Sequence, residues 1–269
     1  MKHTLQYTFS FCLLLSLFLV QAQEVKTKNL DTKEQIPATP KQAVKTKETD
    51  TITPPKTDRY GLRIGLDLYK LTRGFYDTNY NGIELVGDYR LTKKYFLAAE
   101  LGNENKTTAD TRLNSSAKGS YLKVGFDYNG YENWLDMENI ISVGMRYGVS
   151  TFNQEINSYR IYNPNPYFGE MPWKTSGEKF SGLTASWIEV VAGVKVKVIN
   201  NVFVGFSFRM NTLVTNRKPA GFDNLYIPGF NRTYNGGFGA GINYTITYFV
   251  PIYKKKVVAK KLKKKEEEK

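Results

Sequence analysis

The sequence is nearly devoid of the two side chains that most enzymes use near neutral pH. Its 269 residues hold one histidine and one cysteine, and both, His3 and Cys12, lie close to the N-terminus. The first residues, MKHTLQYTFSFCLLLSLFLVQAQE, place Lys2 ahead of an apolar run from Phe9 to Val20, followed by a short exit through Gln21 to Ala22. That is the pattern of a secretory signal cleaved near Ala22. The alternative is an N-terminal anchor, but a run of about 12 residues falls short of the roughly 20 that a spanning helix needs. No lipid-attachment pattern surrounds Cys12. Cleavage removes both residues, and with them any disulfide framework, Cys/His metal site, thiol nucleophile or imidazole base. No cofactor, metal or catalytic residue is therefore expected, and the chain is read as a non-enzyme.

A second absence concerns residues 23–58, which hold no aromatic residue and are rich in Lys, Thr, Glu and Pro. Such a segment buries too little apolar surface to offset its ordering entropy and reads as a disordered linker. Residues 254–269 form a basic tail, in which nine lysines against three glutamates leave +6. The formal net charge of the whole chain is +13, so the tail is its largest single source. A charge run of this kind is ordinarily solvated surface, and contact with an anionic polymer or leaflet is the second reading. Nucleic acid is not an expected partner of an exported chain.

Residues 59–253 lack any helix-length 3.6-residue pattern. What they have is period 2. Eight alternating runs are present: Tyr60–Leu71, Asn81–Leu91, Tyr95–Gly102, Ser120–Asn129, Asn139–Phe152, Ser186–Val198, Val202–Thr212 and Gly237–Phe249. Each is close to the roughly 9–11 residues of a tilted strand crossing a bilayer. One face is oily, as in Leu62/Ile64/Leu66/Leu68 and Val204/Phe206/Phe208/Met210. The other carries Arg63, Arg90, Lys123, Arg146, Lys195 and Arg209 against Asp67, Glu84, Asp88, Glu100, Asp127 and Glu189, six of each sign.

Alternation alone does not say which face is inside. A soluble lipocalin-like barrel binding an apolar ligand has the same period with the faces reversed. Three features favour oil outward. Glycines such as Gly65, Gly102, Gly144 and Gly148 fall on the polar face, where a narrow bore needs room for long charged neighbours. The charges there balance, as a confined interior requires. Shorter connections (92–94, 130–138, 199–201) broadly alternate with longer ones of 9, 17, 33 and 24 residues, the arrangement of outer-membrane barrels. The expected fold is all-β: a closed antiparallel up-and-down transmembrane barrel of about eight strands, with outer-membrane lipid as its first partner.

Over residues 59–253 this pattern and loop order resemble the small eight-stranded outer-membrane barrels of Gram-negative bacteria. The QAQ signal end and Lys/Thr-rich leader resemble exported proteins of the Bacteroidota, many of whose barrels form families of unknown function. Such barrels often end on an aromatic residue that the assembly machinery reads. Here Tyr248, Phe249 and Tyr253 are followed by a 16-residue basic tail, a departure from that pattern.

A barrel this narrow is filled by its own side chains, so the twelve charges read as a plug rather than a pore. Asp67, Glu84 and Asp88 are also readable as paired carboxylates for acid–base work, but as counter-ions of Arg and Lys they need no catalytic role. The favoured role is surface binding or envelope structure. Its candidate surface is Tyr159, Tyr162, Tyr167, Phe168 and Trp173 in one long connection, with Phe222, Tyr226 and Phe230 in the next. Rigid aromatics with Arg and Asn suit an envelope or extracellular protein or a glycan. The competing reading has the same aromatics packing on each other to cap the mouth. A further alternative is an accessory factor in envelope assembly or secretion that acts through its periplasmic tails.

Overall fold

The alternation that opens the domain holds as far as Asp67 and then changes period. Strand β1 covers Thr57–Asp67 and helix α1 covers Leu68–Tyr76, where the sequence predicts strand through Leu71. Asp67 is the reason. Its side chain accepts a hydrogen bond from the Tyr69 N–H at 2.7 Å, the N-cap arrangement that starts a helix. From there Leu68, Leu71 and Thr72 repeat at helical spacing, and Lys70, which alternation would turn outward with Leu66 and Leu68, is buried.

The computed structural model describes residues 57–132, 137–165, 167, 169–232 and 237–256. The remaining strands are β2 (Tyr80–Arg90), β3 (Tyr95–Ala109), β4 (Leu113–Asn129), β5 (Ile140–Tyr159), β6 (Lys174–Ile199), β7 (Val202–Asn216), a two-residue ribbon of β8 (Tyr226–Ile227) and β9 (Asn231–Arg232), and β10 (Phe238–Lys256). Eight of them close into an antiparallel barrel in the order β1-β10-β7-β6-β5-β4-β3-β2. The seam that closes the ring runs from Thr57 opposite Lys256 to Asp67 opposite Thr245. Closure pairs the backbone groups that a sheet edge would leave open.

Residues 57–58 and 254–256 are strand, so the barrel takes the last two residues of the predicted linker and the first three of the predicted tail. The rest of the linker and tail, and the signal segment, lie outside the described residues.

The strands run further than their oily stretches. The 17-residue loop expected between the third and fourth runs is a hairpin turn at 110–112, and the 33-residue loop expected between the fifth and sixth shrinks to 160–173. In these extensions the outward face turns polar while the inward face mixes polar side chains with buried Ala117, Ile156 and Leu183, so the oily-outward alternation gives no signal. The rungs are held by hydroxyl and amide side chains instead, as in Asn103 to Ser120 (2.8 Å) and Asn114 to Ser158 (2.9 Å). Long and short connections are consequently less sorted than the sequence implies. The 68–79, 160–173 and 217–237 segments share their end with the 110–112 turn, and 91–94, 130–139 and 200–201 occupy the other.

The faces are unambiguous. Ile64 is 49% exposed and Phe206 56%, whereas Arg146 is 4% exposed and Glu189 fully buried. This excludes the lipocalin-like alternative, whose apolar face would line the cavity. Inward glycines clear space for bulky neighbours. A Cβ on Gly102 would sit 2.2 Å from the Tyr121 ring, and one on Gly148 2.3 Å from Trp187.

Candidate functional site

The bore divides into a cup at the end of α1 and the β8–β9 ribbon, a charged middle and a vestibule at the opposite end. The middle holds most of the charges read from the sequence. Arg209 forms two hydrogen bonds to Glu100, at 2.5 and 2.9 Å, and one to Glu189 at 3.1 Å. Lys123 lies 3.5 Å from both Glu84 and Glu100 and 3.2 Å from Glu189. Arg146 grips Asp127 through both carboxylate oxygens at 2.8 Å. Lys195 and Arg63 share Asp88, at 2.6 and 2.5 Å. Ten of the twelve are buried; Lys195 is partly exposed, and so is Arg90. Arg90 departs from the set, because its guanidinium donates to the Arg59 carbonyl at 2.8 Å rather than to an acid. Asp67, Glu84 and Asp88 each have partners of their own. Asp67 caps α1 and accepts from Asn243, while the other two serve cations.

Two charged residues that the strand pattern missed complete this network. Lys70 of α1 reaches Glu84 at 2.7 Å and Glu104 at 2.6 Å. Tyr121 donates to Glu84 at 2.6 Å, Tyr226 donates to Glu104 at 2.7 Å, and the Gly229 N–H donates to Glu104 at 3.1 Å. Glu104 continues the inward register of Glu100 and Gly102, so extending the third run by two residues would have found it. Lys70 had no such signal, because only the turn into helix aims it inward.

The cup lies above this layer at the α1 and β8–β9 end. Its volume is about 590 Å³, and its lining includes Tyr69, Arg73, Tyr80, Lys106, Asn211 and Asn231. The Asn211 side-chain oxygen has no hydrogen-bond partner among the described residues. At the rim, Lys106 hydrogen-bonds Asp77 at 2.7 Å, which holds that carboxyl below the usual range.

The loop aromatics divide. Tyr226 (5% exposed) and Phe230 (fully buried) are not surface residues, contrary to the sequence expectation. Phe230 and Ile227 pack against the inward-facing Tyr121, Phe152 and Trp187, and Tyr226 packs with Tyr80 and Ala117, because the β8–β9 ribbon folds into the mouth. Phe222 stacks on Phe180 at 6.3 Å. Tyr159, Tyr162 and Trp173 stay exposed, with Arg112 over the Tyr162 ring at 4.0 Å and Arg160 over Trp173 at 5.3 Å. Tyr167 is 94% exposed, and Phe168 lies outside the described residues. Both capping and outward presentation therefore occur, in different loops.

The vestibule, about 800 Å³, opens at the opposite end. Its ceiling is Arg63 held between Phe96 and Phe203, at 4.8 and 5.2 Å. Between cup and vestibule a void of about 40 Å³ lies beside Asp88, Asp127 and Arg146. On the vestibule wall, Glu138 is raised by burial but lowered more by hydrogen bonds from Arg59 and Lys197, and ends below the usual carboxylate range. Among the described residues no group of three or more His, Cys, Asp or Glu is placed to hold a metal ion.

A family model described as "Domain of unknown function (DUF6048)" matches residues 4–255. The chain belongs to that family. A comparison with curated proteins finds no match. Among solved structures, this DUF6048 member is similar to Ail, the attachment invasion locus protein of Yersinia pestis. The match covers 71% of this chain and 97% of that one, at 8% identity and a TM-score of 0.35. A likeness that distant carries no conclusion about role.

Proposed function

We propose that this DUF6048 member is an outer-membrane protein that spans the bilayer as a sealed barrel and works by contact rather than by catalysis or conduction. One observation carries the reading: the inversion of burial. Ile64 and Phe206 face outward at about half exposure while Arg146 and Glu189 are buried. A soluble monomer rarely shows a contiguous apolar patch beyond about 300–600 Å², yet here exposed Leu, Ile, Val and Phe occur on every barrel strand except β1, where Ile64 stands alone. Hydrocarbon is the medium that accepts such a belt, and a closed ladder meets the backbone requirement of that medium.

The paired middle layer argues against an open pore. The cup and the exposed Tyr159, Tyr162, Tyr167 and Trp173 supply the contact surface at the outer end. The class of partner that suits tyrosine, asparagine and arginine together is an extracellular or envelope protein or a glycan.

The test is envelope fractionation with heat-modifiable gel migration. Recovery in the outer membrane, with a folded form that migrates faster before boiling, is expected. Recovery in the periplasmic supernatant without detergent defeats the proposal.

A further inference from the structure

We propose that the vestibule is a binding site for a small multivalent oxyanion, a ligand bearing two or more phosphates or carboxylates. Seven cationic side chains line this recess against three acids, Asp58, Glu132 and Glu138. The acids are largely spent. Arg59 and Lys197 share Glu138, and Lys93 lies 2.7 Å from Asp58. Arg63 is committed to Asp88 in the layer above. Among the described residues, Arg90, Lys94 and Lys254 have no carboxylate within ion-pair distance.

Arg90 shows the features of a prearranged anion ligand. One nitrogen donates to the Arg59 carbonyl at 2.8 Å, and the guanidinium lies over the Tyr60 ring at 4.9 Å. Tyr60 in turn stacks on Tyr253 at 5.1 Å. The Nε–H also donates to the Thr92 carbonyl at 3.4 Å, so the group is held in place by two carbonyls and a π face, none of which neutralises it. Ordering a long side chain costs entropy, and here that cost is met before any ligand arrives, which is what preorganisation means for affinity. The planar guanidinium suits a two-oxygen contact with phosphate or carboxylate, and Lys94 and Lys254 add point charges.

The walls make the charge effective. Phe96, Phe203 and Phe249 are buried and line the recess, so the cations face a cavity with a low-dielectric backing. That arrangement focuses potential on whatever enters. The site needs no contribution from the outer loops, and it does not depend on the membrane reading.

The experiment is calorimetric titration of the full chain in neutral detergent with two probes, inorganic pyrophosphate and a triglutamate peptide, at low and high salt. Saturable one-site binding by either probe, weakened by salt, is expected. Arg90→Gln should weaken it about tenfold, the loss of a charge-assisted contact. Lys94→Glu combined with Lys254→Glu should abolish it. Preference for pyrophosphate marks a phosphate-bearing ligand, and preference for triglutamate a carboxylate-bearing one. Heat-modifiable migration of each variant reports that the barrel has folded. If Arg90→Gln does not fold, the doubly substituted chain, altered only at exposed side chains, decides. No saturable binding of either probe, or binding that folded variants leave unchanged, overturns the proposal. A chain recovered in the soluble fraction that still binds would uphold the site while defeating the membrane assignment.

Discussion

The Lys70 ammonium on α1 lies 2.6 Å from the Glu104 carboxylate on β3. The same ammonium holds Glu84 at 2.7 Å, so one helical residue ties the cup floor to two strands. Among the described residues no other cation is paired with Glu104. Replacing Lys70 by Met should therefore leave a buried carboxylate unmatched and cost about 3–5 kcal/mol. Urea unfolding in detergent, followed by the heat-modifiable gel shift, checks this. Adding Glu104→Gln should recover part of the loss, and an unaltered midpoint for Lys70→Met would show that the pair is not formed.

Gly102 exists to admit a ring. A methyl group there would stand 2.2 Å from Tyr121, whose hydroxyl serves Glu84. Gly102→Ala should destabilise by about 1–3 kcal/mol through overpacking. In a Tyr121→Ala background the same change should cost little. Additive effects in that double-mutant cycle would contradict the contact.

Phe206 is on the outward belt. In a bilayer, Phe206→Arg should cost about 2–4 kcal/mol near the midplane. Were that face in water, the substitution should be nearly neutral, within about 0.5 kcal/mol. Unfolding from lipid vesicles separates the two, and a neutral result would count against hydrocarbon at that position.

Glu138 sets a pH dependence at the vestibule. Its folded-state pKa is depressed, so its contribution is present above the unfolded value of about 4.3 and is lost as pH falls through the lower folded value. The protection factors of amides 137–141, corrected for the intrinsic pH dependence of exchange, should fall on acidification through that window. Glu138→Gln should exchange faster at neutral pH and lose the acid-dependent step. An identical pH profile in both proteins would mean that Arg59 and Lys197 do not hold the loop.

Much of the barrel was legible because a strand half in oil must alternate. The period placed Arg63, Arg146, Glu189 and Arg209 on one face and Ile64 and Phe206 on the other. It went silent where the outward face turns polar and the inward face becomes mixed, so the β3–β4 and β5–β6 extensions read as loops and Glu104 was lost with them. It misled at Leu68, where the cap from Asp67 outweighed an alternation that had only a few residues left to run.

The sequence by itself determined that the domain is built of two-faced strands, and that its charges balance. Local periodicity is enough for that, since each side chain's face follows from its own position in the strand. Only the tertiary structure decided which face is inside. It alone brought Lys70 to Glu104, folded Tyr226 and Phe230 into the mouth, and left Arg90 without an acid. Those outcomes depend on which distant residues meet once the ring closes, and such meetings are governed by space and charge across the bore rather than by neighbours along the chain.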